Sequence, residues 1–147
     1  MIQGTREFRE LVQEHRQRTG FEMPLPLEQY LVDLLASRLE KVTVIPEPSF
    51  AECYLQLYQR PSVAAMKEFA DQCLFFTALL PEYGQRRGLD MSYYATLGIS
   101  TYYAAGDLAP DPRFTQLGNW FYHLQRFLNT ALHPQQRLEL FDFDPAR

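Results

Sequence analysis

Cysteine is scarce in this chain: only Cys53 and Cys73 occur among its 147 residues. A small secreted domain usually carries more. Both fall on the apolar side of predicted helices, where a thiol behaves as a small hydrophobe, so they are read as two reduced, buried thiols and not as a disulfide. Long hydrophobic runs are also lacking. No stretch reaches the ~18 consecutive apolar residues that a membrane span needs. The opening Met1-Ile2-Gln3-Gly4-Thr5-Arg6-Glu7 is polar, without the apolar centre of a signal peptide. The expected compartment is the cytoplasm. Positive charge is not in excess either: fourteen basic and eighteen acidic side chains leave a formal charge of −4. The most basic stretch, residues 5–18, holds four Arg and three acidic residues, a net of only +1. Nucleic-acid binders concentrate positive charge to displace counterions from phosphates, so no nucleic-acid partner is expected.

Motifs that carry chemistry are missing as well. There is no glycine-rich phosphate loop and no nucleophile elbow. His15, His123 and His133 have no ligand partners at metal-binding spacing, so no metal and no cofactor is assigned. Cys73 and a distant histidine make a weak nucleophile–base pair, because any chain with two Cys and three His allows one. Asp142 and Asp144 sit in the tail, where no pocket orients them. No catalytic residue is assigned, and whether the chain is an enzyme is left open, with a non-catalytic role favoured. No internal repeat or low-complexity tract is present.

What the chain does have is a core-forming composition. It is 46% apolar, 22% charged and 14% aromatic, with eleven Phe, nine Tyr and one Trp. That suits one ordinary globular domain. The pattern is helical throughout. Phe8, Leu11, Val12 and His15 follow i, i+3, i+4, i+7 over 5–18, with Thr5 as N-cap and Gly20 as stop. Leu27, Tyr30, Leu31, Leu34, Leu35 and Leu39 mark a second helix to about residue 40. Residues 42–48 read as an extended connector. Ser49 and Glu52 form a capping box for a third helix with the stripe Phe50, Cys53, Tyr54, Leu57. A fourth helix, 62–80, carries Val63, Met66, Phe69, Ala70, Cys73, Phe76 and Leu80, and Pro81 ends it. A fifth, 92–105, is capped by Asp90 or Ser92. A sixth, about 112–131, follows Asp111-Pro112 and carries Phe114, Leu117, Phe121, Leu124 and Leu128.

The fold expected is therefore an all-α compact bundle of about five or six helices, with residues 1–133 as a single helical domain and 134–147 as a loosely held tail. From Met91 to Gly106 there is no charged residue. A helix neutral all round is normally enclosed by others, which places 92–105 at the centre. Gly98 and Gly118 each cost about 1 kcal/mol against alanine in a helix. That cost predicts a packing reason: the fifth and sixth helices cross there in close contact.

Three polar residues stand out inside this frame. Tyr94 and Tyr102 lie eight apart, two turns, on one face of the neutral helix. Asp71 lies in the apolar half of the fourth helix and can accept a hydrogen bond from a buried phenol. Asp71, Tyr94 and Tyr102 are read first as a satisfied core network, and second as the polar spot of a ligand pocket. The tail Leu138-Glu139-Leu140-Phe141-Asp142-Phe143-Asp144 alternates apolar and acidic residues, and Phe141 and Phe143 are candidates for docking on a partner.

The run Asp71-Gln72-Cys73-Leu74-Phe75-Phe76-Thr77-Ala78-Leu79-Leu80-Pro81-Glu82, then Asp90, Tyr93-Tyr94, Gly98 and Tyr102, resembles a family of bacterial helical proteins with no known activity. Phe114, Leu117, Phe121, Leu128 and Asn129 resemble its final helix, so the similarity spans about 28–130. Leu79-Leu80 departs from the family's aromatic pair before the proline. The resemblance implies a bacterial helical domain and carries no activity over. The leading functional expectation is a non-catalytic interaction or regulatory domain that forms a homodimer or binds an unknown protein partner. Excess aromatics, which favour interfaces, motivate it. The alternative is a small-molecule binder or enzyme with a pocket near Asp71, Tyr94 and Tyr102. A third reading, a nucleic-acid regulator, requires a basic face near Arg6, Arg9, Arg16, Arg86 and Arg87.

Overall fold

The computed structural model describes residues 4–38 and 50–139. The 42–48 connector, the Ser49 cap, and Phe141 and Phe143 lie outside the described residues. The chain is all-α. Its described residues form eight helices: α1 Thr5–Thr19, α2 Leu25–Arg38, α3 Phe50–Gln59, α4 Val63–Leu79, α5 Pro81–Arg86, α6 Met91–Leu108, α7 Pro112–Ala131 and α8 Pro134–Glu139. The two helices beyond the expected five or six are short, six residues each. Both begin at a proline: Pro81, which the sequence marked as the end of the fourth helix, and Pro134, where the tail was expected to start. Proline lacks an amide hydrogen, so it closes one helix and suits the first turn of the next. Part of the predicted tail, Pro134–Glu139, is thus helical.

Several ends follow local chemistry. Gly20 closes α1 at φ 69°, a left-handed conformation that favours glycine. The Ser62 hydroxyl accepts from the Ala65 amide at 3.3 Å and caps α4. The Asp90 carboxylate accepts from the Tyr93 amide at 3.1 Å and caps α6. Asp111 Oδ1 accepts from the Arg113 amide at 3.0 Å at the start of α7.

The described residues cluster into two compact units. One comprises 4–38 and 129–139. In it α1 packs on α2. Phe8 and Val12 of α1 and Leu27, Leu31 and Leu35 of α2 are fully buried. The buried Glu28 carboxylate pairs with Arg16, 3.2 Å away, tying α2 to α1. His15 is buried and its Nε2 lies 2.9 Å from Thr130 Oγ1.

The other unit comprises 50–128. Its principal helix pair is α4 with α6. From Phe69 to Leu79 every α4 residue except Gln72 is buried, so the helix enclosed on all sides is the second half of α4. The expectation that the neutral helix is enclosed all round is corrected. In α6, Tyr94, Ala95, Leu97, Gly98, Thr101, Tyr102 and Ala105 are buried. On its other side Ser92, Tyr93, Thr96 and Tyr103 are exposed. Cys53 is also corrected: it is exposed on α3, while Cys73 is buried on α4, and both thiols are free.

The glycines have the packing role expected of them, by a different geometry. A Cβ on Gly98 would lie 2.7 Å from the Cys73 Cβ of α4 and 2.9 Å from the Phe121 ring of α7. One on Gly118 would lie 2.6 Å from the Tyr103 ring of α6. Each glycine of the α6–α7 pair therefore seats an aromatic ring of the other helix. The two helices meet through rings and not through bare backbone. Gly98 in addition lets α6 settle closely on α4.

The buried imidazole sets a pH dependence. Burial first, and the Arg18 charge second, hold the His15 pKa below its ordinary value. The unfolded chain then takes up a proton more readily than the folded one. His15 contributes to stability above the ordinary pKa of about 6.5, and that contribution is lost as the pH falls from there toward the lowered folded value. Thermal melts are expected to drop as the pH falls from about 7.5 to 5.5, and His15→Gln should flatten that segment of the curve.

Candidate functional site

Asp71 stands in the middle of α4 with only 1% of its surface exposed. A carboxylate there needs hydrogen-bonded compensation, because an isolated buried charge is strongly disfavoured. Two elements supply it. Tyr102, fully buried on the inner face of α6, donates its hydroxyl to Asp71 Oδ1 at 2.7 Å. Lys67, one turn earlier on α4, donates to Oδ2 at 2.8 Å. The lysine side chain remains partly in solvent, with its stem along the helix and its ammonium turned inward onto the carboxylate. Bonds to an ionised acceptor are among the stronger ones in proteins.

Of the three residues singled out from sequence, Asp71 and Tyr102 are brought together. Tyr94 is placed elsewhere. Its ring packs edge-on against Phe76 of α4 at 6.1 Å and against Tyr93 at 5.6 Å. Burial, and then neighbouring Tyr93 and Cys73, raise its pKa. Lys67 is the member that the sequence reading missed. Its signal was there, an i, i+4 Lys–Asp pair on one helix.

The remaining candidates are positioned as follows. Burial pushes the Cys73 thiol pKa far upward. The thiolate is the nucleophilic form, so this cysteine is chemically quiet. His123 lies edge-on to Trp120 at 5.8 Å. Among the described residues, no group of three or more His, Cys, Asp or Glu is placed to hold a metal ion, and no helix is long and apolar enough to cross a membrane. Several of the arginines that a basic face would need are paired: Arg16 with Glu28 at 3.2 Å and Arg6 with Glu10 at 3.2 Å. Arg87 lies over the Tyr83 ring at 4.2 Å.

A different feature of the same unit emerges on its surface. The outer side of α6 presents Tyr93, Thr96, Ser100 and Tyr103. Tyr93 is 44% and Tyr103 38% exposed. The Tyr103 hydroxyl donates to Asn119 Oδ1 of α7 at 2.6 Å, beside the exposed Tyr122 one turn on. On the opposite flank, Ser100 lies near Tyr54 of α3. The Tyr54 and Tyr58 hydroxyls are 3.0 Å apart. Burial, together with the Tyr58 contact, raises the Tyr54 pKa, so this phenol stays protonated at neutral pH. Aromatic rings, hydroxyls and one amide of α3, α6 and α7 thus gather along this side of α6. None of these side chains is charged. Composition alone hid this, because neutrality was taken as a sign of burial. No family model, no curated protein and no solved structure matches the chain.

Two outcomes are expected from the inner network. Tyr102→Phe should cost about 1.5–3 kcal/mol in urea unfolding, the range for a bond to a charged acceptor. The double-mutant cycle with Asp71→Asn should give clear coupling between the two positions. In the native protein a thiol reagent should label Cys53 alone, with Cys73 reacting only after unfolding.

Proposed function

We propose that this chain is a non-catalytic interaction or regulatory domain of the bacterial cytoplasm, and that it works through the outer face of α6. The observation that carries the reading is the uncharged, tyrosine-rich face formed by Tyr93, Thr96, Ser100 and Tyr103 and flanked by Tyr58 and Tyr122. Neutral helices are normally enclosed. Among the described residues only one side of α6 is buried, and the enclosure that its composition calls for is completed by a protein partner. Tyrosine is suited to that role, offering a large rigid ring with a polar tip at low entropic cost.

The alternative, a small-molecule site around Asp71, Tyr94 and Tyr102, is not favoured. Asp71 and Tyr102 are buried and bonded to each other, which is how a register-fixing core pair is built. Tyr94 is occupied with aromatic packing.

Photocrosslinking in cells tests the reading. A benzophenone side chain at Thr96 should give a discrete adduct with a protein. The same group at Glu14, on the exposed side of α1, should not. An absence of adduct at position 96, or an equal pattern at both positions, would contradict the proposal.

A further inference from the structure

The outer stripe of α6, exposed at Tyr93, Thr96 and Tyr103 and half-buried at Ser100, has a symmetry of its own. Its members are Tyr93, Thr96, Ser100 and Tyr103, at spacings of three, four and three. Large aromatic hydroxyls stand at both ends and small hydroxyls in the middle. The stripe is therefore a palindrome in residue type, centred on position 98. Spacings of three and four are those of a seam between two helices, and ten residues of helix rise about 15 Å.

We infer that the partner on this face is a second copy of the chain, with α6 crossing its counterpart antiparallel about a two-fold axis near position 98. This rests on the reading of the α6 face as a docking surface. A two-fold interface brings one patch against itself, so each group must be compatible with its mirror in the stripe. In this register Tyr93 meets Tyr103 of the other copy, and Thr96 meets Ser100. A hydroxyl both donates and accepts; Tyr103 and Thr96 already donate, to Asn119 Oδ1 and the Ser92 carbonyl, so across the axis they accept from Tyr93 and Ser100 of the other copy. Charge points the same way. Two copies of a chain with net charge −4 repel, and they approach at least cost where the surface carries no charge. The small central pair allows the helices to come close, while the ring pairs close off each end. Ten residues of one helix fall short of the ~800 Å² per partner of a standard interface. The exposed Tyr58 of α3 and Tyr122 of α7 widen it, giving a dimer that dissociates on dilution. Asp90 and Asp107 lie exposed just outside the stripe. In the paired register they approach across the rim with like charge, so added salt strengthens the dimer.

Sedimentation velocity over a range of concentrations tests this. The unmodified chain should pass from monomer to dimer. Thr96→Glu and Thr96→Lys should each weaken self-association by about tenfold or more, because each buries a charge against Ser100 of the other copy and sets two like charges only about four residues of helix rise, ~6 Å, apart across the axis. An equimolar mixture of the two variants should recover the dimer. Thr96 is exposed, so both variants should keep the parent's circular dichroism and melting. A chain that stays monomeric at millimolar concentration overturns the inference. So does a dimer indifferent to both substitutions. A strict monomer that still gives a Thr96 adduct with a different protein would sink the second copy and leave the docking face standing.

Discussion

Within residues 50–128 the arrangement depends on how closely α6 lies on α4, and Gly98 sets that distance. The Cys73 Cβ of α4 and the Phe121 ring of α7 both occupy the space a side chain there would take. Glycine in a helix interior costs about 1 kcal/mol. That cost is offset by the burial that close approach permits, at roughly 25 cal/mol for each Å² of apolar surface. One turn further along α6, Tyr102 then comes within reach of Asp71, and its hydroxyl bonds the carboxylate at 2.7 Å.

The Asp71–Tyr102 bond gives the interface a register that apolar packing alone would leave loose. Hydrophobic contact has no direction. A buried acceptor with one well-placed donor has a direction, and sliding α6 by a turn would strand it. Lys67 completes the carboxylate's pairing from the solvent side at 2.8 Å. The same rotation of α6 that turns Tyr94, Thr101 and Tyr102 inward turns Tyr93, Thr96 and Tyr103 outward. The inner network and the outer neutral face are consequences of one orientation.

Much of this was legible in the residues. Asp90 and Gly20 act at the helix ends that their side chain, or lack of one, predicts, whereas Thr5, expected as the α1 cap, lies inside the helix and Gly4 takes that place. Asp71 and Tyr102 form a pair because a buried phenol needs an acceptor and one lay at the right depth. Other features were not legible, for definable reasons. Proline marks a boundary without saying whether a new helix begins there, so α5 and α8 were not foreseen. Cys53 shares the apolar stripe of α3, yet whether a stripe is covered depends on tertiary neighbours. Neutrality in α6 was equally ambiguous: it shows that no charge is needed for solubility there, without saying which molecule does the covering. Gly118 was correctly read as a packing position, but spacing cannot tell a backbone crossing from a seat for the Tyr103 ring.

The central claim is that α6 has two opposed faces, one locked onto α4 and one open. Hydroxyl-radical footprinting of the dilute monomer reads both at once, because four tyrosines lie on this single helix. The account predicts rapid modification of Tyr93 and Tyr103 with protection of Tyr94 and Tyr102. Equal reactivity of Tyr102 and Tyr103, or protection of all four at high dilution, would contradict it.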